Sequence, residues 1–178
     1  TKNFGFQKFL PGPGLGGHCI PIDPYYLSWI SKKKGYKPKF IPLAGKINTM
    51  MPSWVVKKML SKLKGHKQKI LILGVAYKKN VDDDRESPSF EIMKILKKRK
   101  ISFEYNDPYF DKIRKGRQNK IIKKSIPLSK KNLKKFSAVI LVTDHDQYDY
   151  EYIAQNSKII FDTRGAYKKF AFKNIFYC

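Results

Sequence analysis

Between Gly12 and Asp23 the chain gathers residue types suited to covalent catalysis. Four glycines occupy the six positions from Gly12 to Gly17, Cys19 follows, and a carboxylate stands four residues later at Asp23. Glycine lets a backbone approach a ligand closely, and N–H groups gathered around a sulfur favour a thiolate or an oxyanion. A nearby carboxylate orients or activates water. The plainer reading is a turn that holds a small buried cysteine. These residues alone leave both open.

A second group lies further on, in Gly74-Val75-Ala76-Tyr77-Lys78-Lys79-Asn80-Val81-Asp82-Asp83-Asp84-Arg85-Glu86-Ser87-Pro88. Lys78 and Arg85 supply positive charge, Arg85 in a geometry that suits phosphate or carboxylate. A helix opening at Ser87-Pro88 would turn free N–H groups toward an anion. The stretch is not a G-x-G-x-x-G fingerprint, since only Gly74 is present. An Asp82-Asp83-Asp84 metal site lacks any accompanying ligand pattern, and no metal is expected. The alternative is a strand-to-helix loop whose acids cap the helix and pair with neighbouring bases.

The elements that must position these groups follow from periodicity. Tyr25 to Lys34 reads as a short helix closed by Gly35, and Ala44 to Leu63 as a longer one, with Pro52 at its start or at a kink. The run from Lys69 to Ala76 is continuously apolar, as in a buried parallel strand. Helix-type spacing then runs from Ser87 through Leu96, with Pro88 and Glu91 in the first turn. A strand at Ile101–Tyr105 ends at Asn106-Asp107-Pro108, and a Lys-rich region without clear period reaches Pro127. Beyond it come a helix at Ser129–Phe136, a strand at Ser137–Thr143, a helix at Tyr150–Asn156, a strand at Lys158–Phe161 and a final strand near Asn174–Cys178. Strands alternating with helices predict an α/β fold, a Rossmann-like doubly wound parallel sheet, preceded by the cysteine loop and a central helix. The division falls near residue 66, giving parts 1–66 and 67–178.

The chain has 178 residues and a formal charge of +24, carried by 38 Lys and Arg, nearly all Lys. Such charge admits a nucleic-acid partner, but nucleic-acid modules favour Arg clustered with exposed aromatics. Lysine here is spread over every element, as on a solvated surface, so no nucleic acid is expected. No apolar run approaches the ~20 residues of a membrane span. Two cysteines make no disulfide framework, which suits a reduced, cytoplasmic setting, with Cys178 simply a terminal residue. The first residues, Thr1-Lys2-Asn3-Phe4, lack Met and a signal pattern, and read as the cut edge of something longer.

The pattern Gly14-x-Gly16-Gly17-x-Cys19-x-Pro21-x-Asp23 resembles the active-site cysteine loop of the nucleotide-sugar 6-dehydrogenases, the UDP-glucose/GDP-mannose dehydrogenase family. The Gly74–Pro88 stretch resembles that family's second signature, and Asp162-Thr163-Arg164-Gly165 a late D-x-R motif. The resemblance covers essentially the whole chain. It implies a UDP-binding C-terminal domain, with the family's N-terminal NAD-binding domain outside these residues.

Carried over by position, the resemblance implies that Cys19 is the nucleophile that holds the C6 aldehyde of a nucleotide sugar, and Asp23 the carboxylate serving water. Substrate contacts fall on Phe9, Leu10, Gly14, Gly16, Gly17, Tyr77, Lys78 and Arg164. Arg85 reaches the cofactor, NAD. His18 departs from the Ser common in relatives and receives no role. The implied substrate is a UDP-N-acetylhexosamine, foremost UDP-N-acetylglucosamine, with the N-acetylmannosamine, N-acetylgalactosamine and glucose analogues as alternatives. Its product would serve capsule, O-antigen or other surface polysaccharides. The central helix implies a homodimer or higher homo-oligomer, although its apolar face would equally suit intramolecular packing. A basic nucleic-acid module and a non-catalytic nucleotide-binding remnant remain the competing classes.

Overall fold

The computed structural model describes residues 5, 10–65, 67–113 and 121–178. Its elements in chain order are α1 (Cys19–Lys33), α2 (Phe40–Lys62), β1 (Lys69–Leu73), α3 (Pro88–Lys98), β2 (Ser102–Asn106), β3 (Lys112–Ile113) and β4 (Lys123–Lys124). Then follow α4 (Lys130–Leu133), β5 (Ala138–Leu141), α5 (Tyr150–Asn156), β6 (Ile160–Asp162), a 3₁₀ turn (Ala166–Lys169) and β7 (Ile175–Tyr177).

Side-chain alternation decides how these stack. In β1, Ile70 and Ile72 belong to one core and Leu71 and Leu73 to another, all fully buried. A strand that is apolar on both faces needs cover on both. On one side Val55, Val56 and Met59 of α2 pack with Ile92, Met93 and Leu96 of α3 over Ile70, Ile72 and Ile140. On the other, Leu133 and Phe136 with Ile153 and Ala154 of α5 cover Leu71, Leu73 and Leu141. The sheet has five strands in the order β2-β1-β5-β6-β7, every pairing parallel. This is the doubly wound order of flavodoxin-like sheets, whose ligand crevice opens where the order reverses, at the carboxyl ends of β1 and β5.

Several elements differ from expectation. Helix α1 starts at Cys19 rather than Tyr25, because Pro21 in its first turn forfeits an N–H that has no intrahelical partner there. Pro52 lies inside α2, which starts at Phe40 and continues past it to Lys62. The region after Asp107, which showed no period, holds the antiparallel pair β3–β4, too short to leave a readable pattern, with Ile113 and Ile121 buried beside it. Helix α4 is a single turn, capped by the Ser129 side chain on the Asn132 amide. Cys178 is more than a loose terminus: it packs half-buried against the first core, and burial pushes its thiol pKa up.

Candidate active site

The crevice is organised by a buried carboxylate. After β1 the chain turns at Gly74 with φ +86, and Thr143 from the end of β5 fills the space a Cβ would need. The Thr143 hydroxyl donates to the Ala76 carbonyl at 2.6 Å. Asp107, at the end of β2, accepts the amides of Val75 (2.6 Å) and Ala76 (3.0 Å) on Oδ2 and that of Tyr109 (2.8 Å) on Oδ1. Its Oδ2 also lies 3.1 Å from Nε2 of the fully buried His145. Since His145 Nδ1 accepts the Asn80 amide at 2.9 Å, the ring proton sits on Nε2 and is donated to Asp107. Burial by itself would raise the pKa of Asp107, but His145 and the three amides outweigh it and hold it below the usual carboxylate range.

The loop from Tyr77 to Glu86 rises from this base. The Tyr77 amide donates to the Asp83 carbonyl at 2.9 Å. Asp83 receives Nε and Nη2 of Arg85, the latter at 2.6 Å, and this pairing holds the Asp83 pKa down. Lys79 pairs with Asp146 at 2.8 Å. Lys78 is exposed and forms no ion pair among the described residues. Burial pushes the Asp84 carboxyl up, helped by the charges of Asp83 and Asp107.

The cysteine loop is docked onto this loop. The Gly17 amide donates to the Arg85 carbonyl at 2.8 Å. A Cβ on Gly17 (φ +84) would meet the Tyr77 ring, and one on Gly16 would meet Tyr77 Cβ and the Glu86 carbonyl. Gly14 lies against Pro88 and Pro52, and Gly12 against the guanidinium of Arg164. Arg164 in turn donates from Nε to Asp144 at 3.2 Å, while its amide is held by Asp162. Cys19 emerges exposed at the first position of α1, within electrostatic reach of Arg85. Asp23 follows one turn later on the same side of the helix.

Of the residues singled out in the sequence, Gly14, Gly16, Gly17, Cys19, Tyr77, Arg85 and Arg164 are thus brought together. Leu10 is exposed, and Phe9 lies outside the described residues. One expectation is corrected. The first turn of α3 offers no free amides: Pro88 has none, the Ser89 amide is capped by Ser87 Oγ and that of Phe90 by the Ser87 carbonyl. The loop glycines pack closely against Tyr77, Pro88 and Arg164. Asp107 and His145 carry the arrangement and were missed, the first read merely as the end of a strand. The one available signal was a carboxylate followed by proline at a strand's carboxyl end.

The turn after β1 gives the Val75 and Ala76 amides to Asp107, and it is not a dinucleotide-type glycine turn. Among the described residues no three His, Cys, Asp or Glu side chains group as a metal site, and no helix is long and apolar enough to cross a membrane.

Fold and site together define a doubly wound α/β domain with a cysteine-bearing arm docked at its switch point. Residues 71–169 match the UDP binding domain of the UDP-glucose/GDP-mannose dehydrogenase family, and residues 1–50 match its central domain. The chain belongs to that family. It is 35% identical over 92% of its length to a UDP-N-acetyl-D-mannosamine dehydrogenase of Methanococcus maripaludis, covering 39% of that protein. To the UDP-N-acetyl-D-glucosamine 6-dehydrogenase of Salmonella typhi it is 32% identical over 83% of its length, covering 35% of the relative. The UDP-D-ManNAc dehydrogenase structure from Pyrococcus horikoshii superposes with a TM-score of 0.74 at 26% identity, over 98% of this chain and 40% of that one. The chain therefore spans about two fifths of the length of the relatives it matches.

Proposed function

We propose that this chain is the nucleophile-bearing, UDP-binding portion of an NAD-dependent dehydrogenase that oxidises C6 of a UDP-N-acetylhexosamine to a carboxylate. The observation that carries the reading is the docking of the Cys19 loop on the Arg85 loop through the Gly17 amide. It sets the thiol within electrostatic reach of Arg85, whose pairing with Asp83 uses only Nε and Nη2, as suits a nucleophile near a bound diphosphate. Relatives named for the N-acetylmannosamine and N-acetylglucosamine substrates both support an N-acetylhexosamine.

In this reading the Cys19 thiolate adds to the C6 aldehyde and forms a C–S bond, and the resulting oxyanion sits at the positive end of α1. The oxidised form of that adduct is a thioester. Water, oriented by Asp23, attacks its carbonyl and expels the Cys19 thiolate, releasing the acid. NAD, when bound, supplies the hydride acceptor. Arg85 is the residue here that fits its phosphates, since the guanidinium is largely exposed and Asp83 occupies only Nε and Nη2. Tyr77, Lys78 and Arg164, with Leu10 and the loop glycines, bound the UDP-sugar. A second copy covers the exposed Ile47, Met50 and Trp54 of α2, and the exposed thiol suits a reducing, cytoplasmic compartment.

Calorimetry of the isolated chain should show UDP binding, weakened by Lys78→Ala, with no comparable, salt-dependent affinity for random DNA. The chain alone is expected not to reduce NAD⁺; robust turnover would overturn that division of labour. In the longer protein, Cys19→Ser should abolish formation of the acid, and parallel assays with the two C2 epimers decide the sugar. Failure to bind UDP, with tight DNA binding instead, would sink the proposal.

A further inference from the structure

We propose that His145 and Asp107 are positioning residues that hold the Tyr77–Glu86 loop in the arrangement that receives the Cys19 loop, with Asn80 and Asp146 carrying the hold outward. This deepens the reading of that loop as a wall of the UDP-sugar site and rests on it.

Asn80 lies within the loop with φ +60, a left-handed conformation that asparagine adopts more readily than other non-glycine residues. Three hydrogen bonds hold it there. Its amide donates to His145 Nδ1, its side-chain amide donates to Asp146 Oδ2 at 2.5 Å, and its Oδ1 accepts the Asp146 amide at 3.0 Å. The inner end of this chain is Asp107, which also takes the amides of Val75 and Ala76, the residues just before Tyr77. One carboxylate thus fixes the root of the loop directly and Asn80 through an imidazole.

Both His145 nitrogens are used inside the protein and the side chain is wholly buried. It therefore acts on a ligand only through Asn80. Around the ring stand Tyr109, with centroids 5.0 Å apart, and Tyr148 at 5.6 Å. The Tyr150 hydroxyl donates to the His145 carbonyl at 2.9 Å. This packing fixes the imidazole plane, and the two hydrogen bonds fix its tautomer. Tyr77 and Lys78 on one side of Asn80, and Asp83 and Arg85 on the other, take their places from that fixed point.

The test compares wild type with His145→Phe, which keeps an aromatic ring but neither hydrogen bond, and with His145→Gln, whose amide can accept from Asn80 and donate to Asp107. Asp146→Ala removes the outer, exposed half of the hold without touching the core. Hydrogen exchange is followed by mass spectrometry on the peptide spanning residues 77–87, and UDP affinity by calorimetry. His145→Phe should speed exchange and weaken UDP binding roughly tenfold, the effect of a lost buried hydrogen bond. His145→Gln should restore most of both, and Asp146→Ala should give a smaller change in both at an unchanged melting temperature.

Unchanged exchange in a folded His145→Phe or in Asp146→Ala overturns the hold. Faster exchange with wild-type UDP affinity overturns its part in positioning. If His145→Phe does not fold, Asp146→Ala and His145→Gln decide by the same criteria. A wild-type chain that binds no UDP refutes the substrate reading, while the exchange measurement, made without ligand, still judges the hold.

Discussion

The amide of Gly17 donates to the carbonyl of Arg85 across 2.8 Å, so the strand of chain that leads into Cys19 is bonded, backbone to backbone, to the loop that carries Tyr77 and Arg85. No side chain makes this bond. It depends on a positive φ at Gly17 and on the Tyr77 ring occupying the place where a Cβ would stand.

Gly17→Ala should therefore cost about 1–3 kcal/mol, from backbone strain and from the clash with Tyr77. It should also speed alkylation of Cys19 by iodoacetamide, read at the peptide level so that Cys178 does not confuse it. Tyr77→Ala removes the clash but not the strain, so the double variant should be less unstable than the sum of the two, by at least about 0.5 kcal/mol. Strict additivity in urea melts would refute the contact.

Asp107→Asn puts an amide NH₂ where the carboxylate now accepts three backbone amides and His145. The expected loss is about 3–5 kcal/mol at pH 7. The native carboxyl lies below its unfolded value, so its contribution is present above the ordinary carboxylate range and vanishes as pH falls through the depressed value. Urea midpoints of wild type and variant should differ by a constant amount at neutral pH and converge in acid.

The opposite sign applies at Asp84. Its folded carboxyl is raised by burial and by its acidic neighbours, so ionising it costs stability once pH exceeds the folded value. Asp84→Asn should raise the melting temperature at pH 7 by roughly 1–3 °C and give no gain below the unfolded carboxylate range. A lower melting temperature at pH 7 would show that the charge is needed where it is.

Arg164 lies on Gly12 and donates to Asp144. If this contact secures the arm, Asp144→Asn and Arg164→Ala should both increase the unliganded alkylation rate of Cys19, by roughly two- to fivefold for a partly exposed pair. An increase confined to Arg164→Ala would place the effect in packing against Gly12 alone.

Much of this was legible along the chain. The two-sided apolar run at β1, the Ser87-Pro88 helix start and the Cys19 motif are local patterns, and local patterns survive in a one-dimensional reading. The start of α1 was placed late because apolar helical spacing becomes readable only from Tyr25, whereas the helix already begins at Cys19, with Pro21 in a first turn where it breaks nothing. The β3–β4 pair was invisible because two-residue strands carry no period.

The sequence by itself determined the residue types available for chemistry, their order and the α/β class, since these follow from composition and periodicity. Only the tertiary structure decided which donors remain for a ligand. Asp107 and His145 are 38 residues apart in the chain, and they meet because the strand order brings the ends of β2, β1 and β5 side by side. That meeting takes the Val75, Ala76 and Asn80 amides out of play. Hydrogen-bond partners across a parallel sheet are set by strand order and register, which no spacing along the chain records.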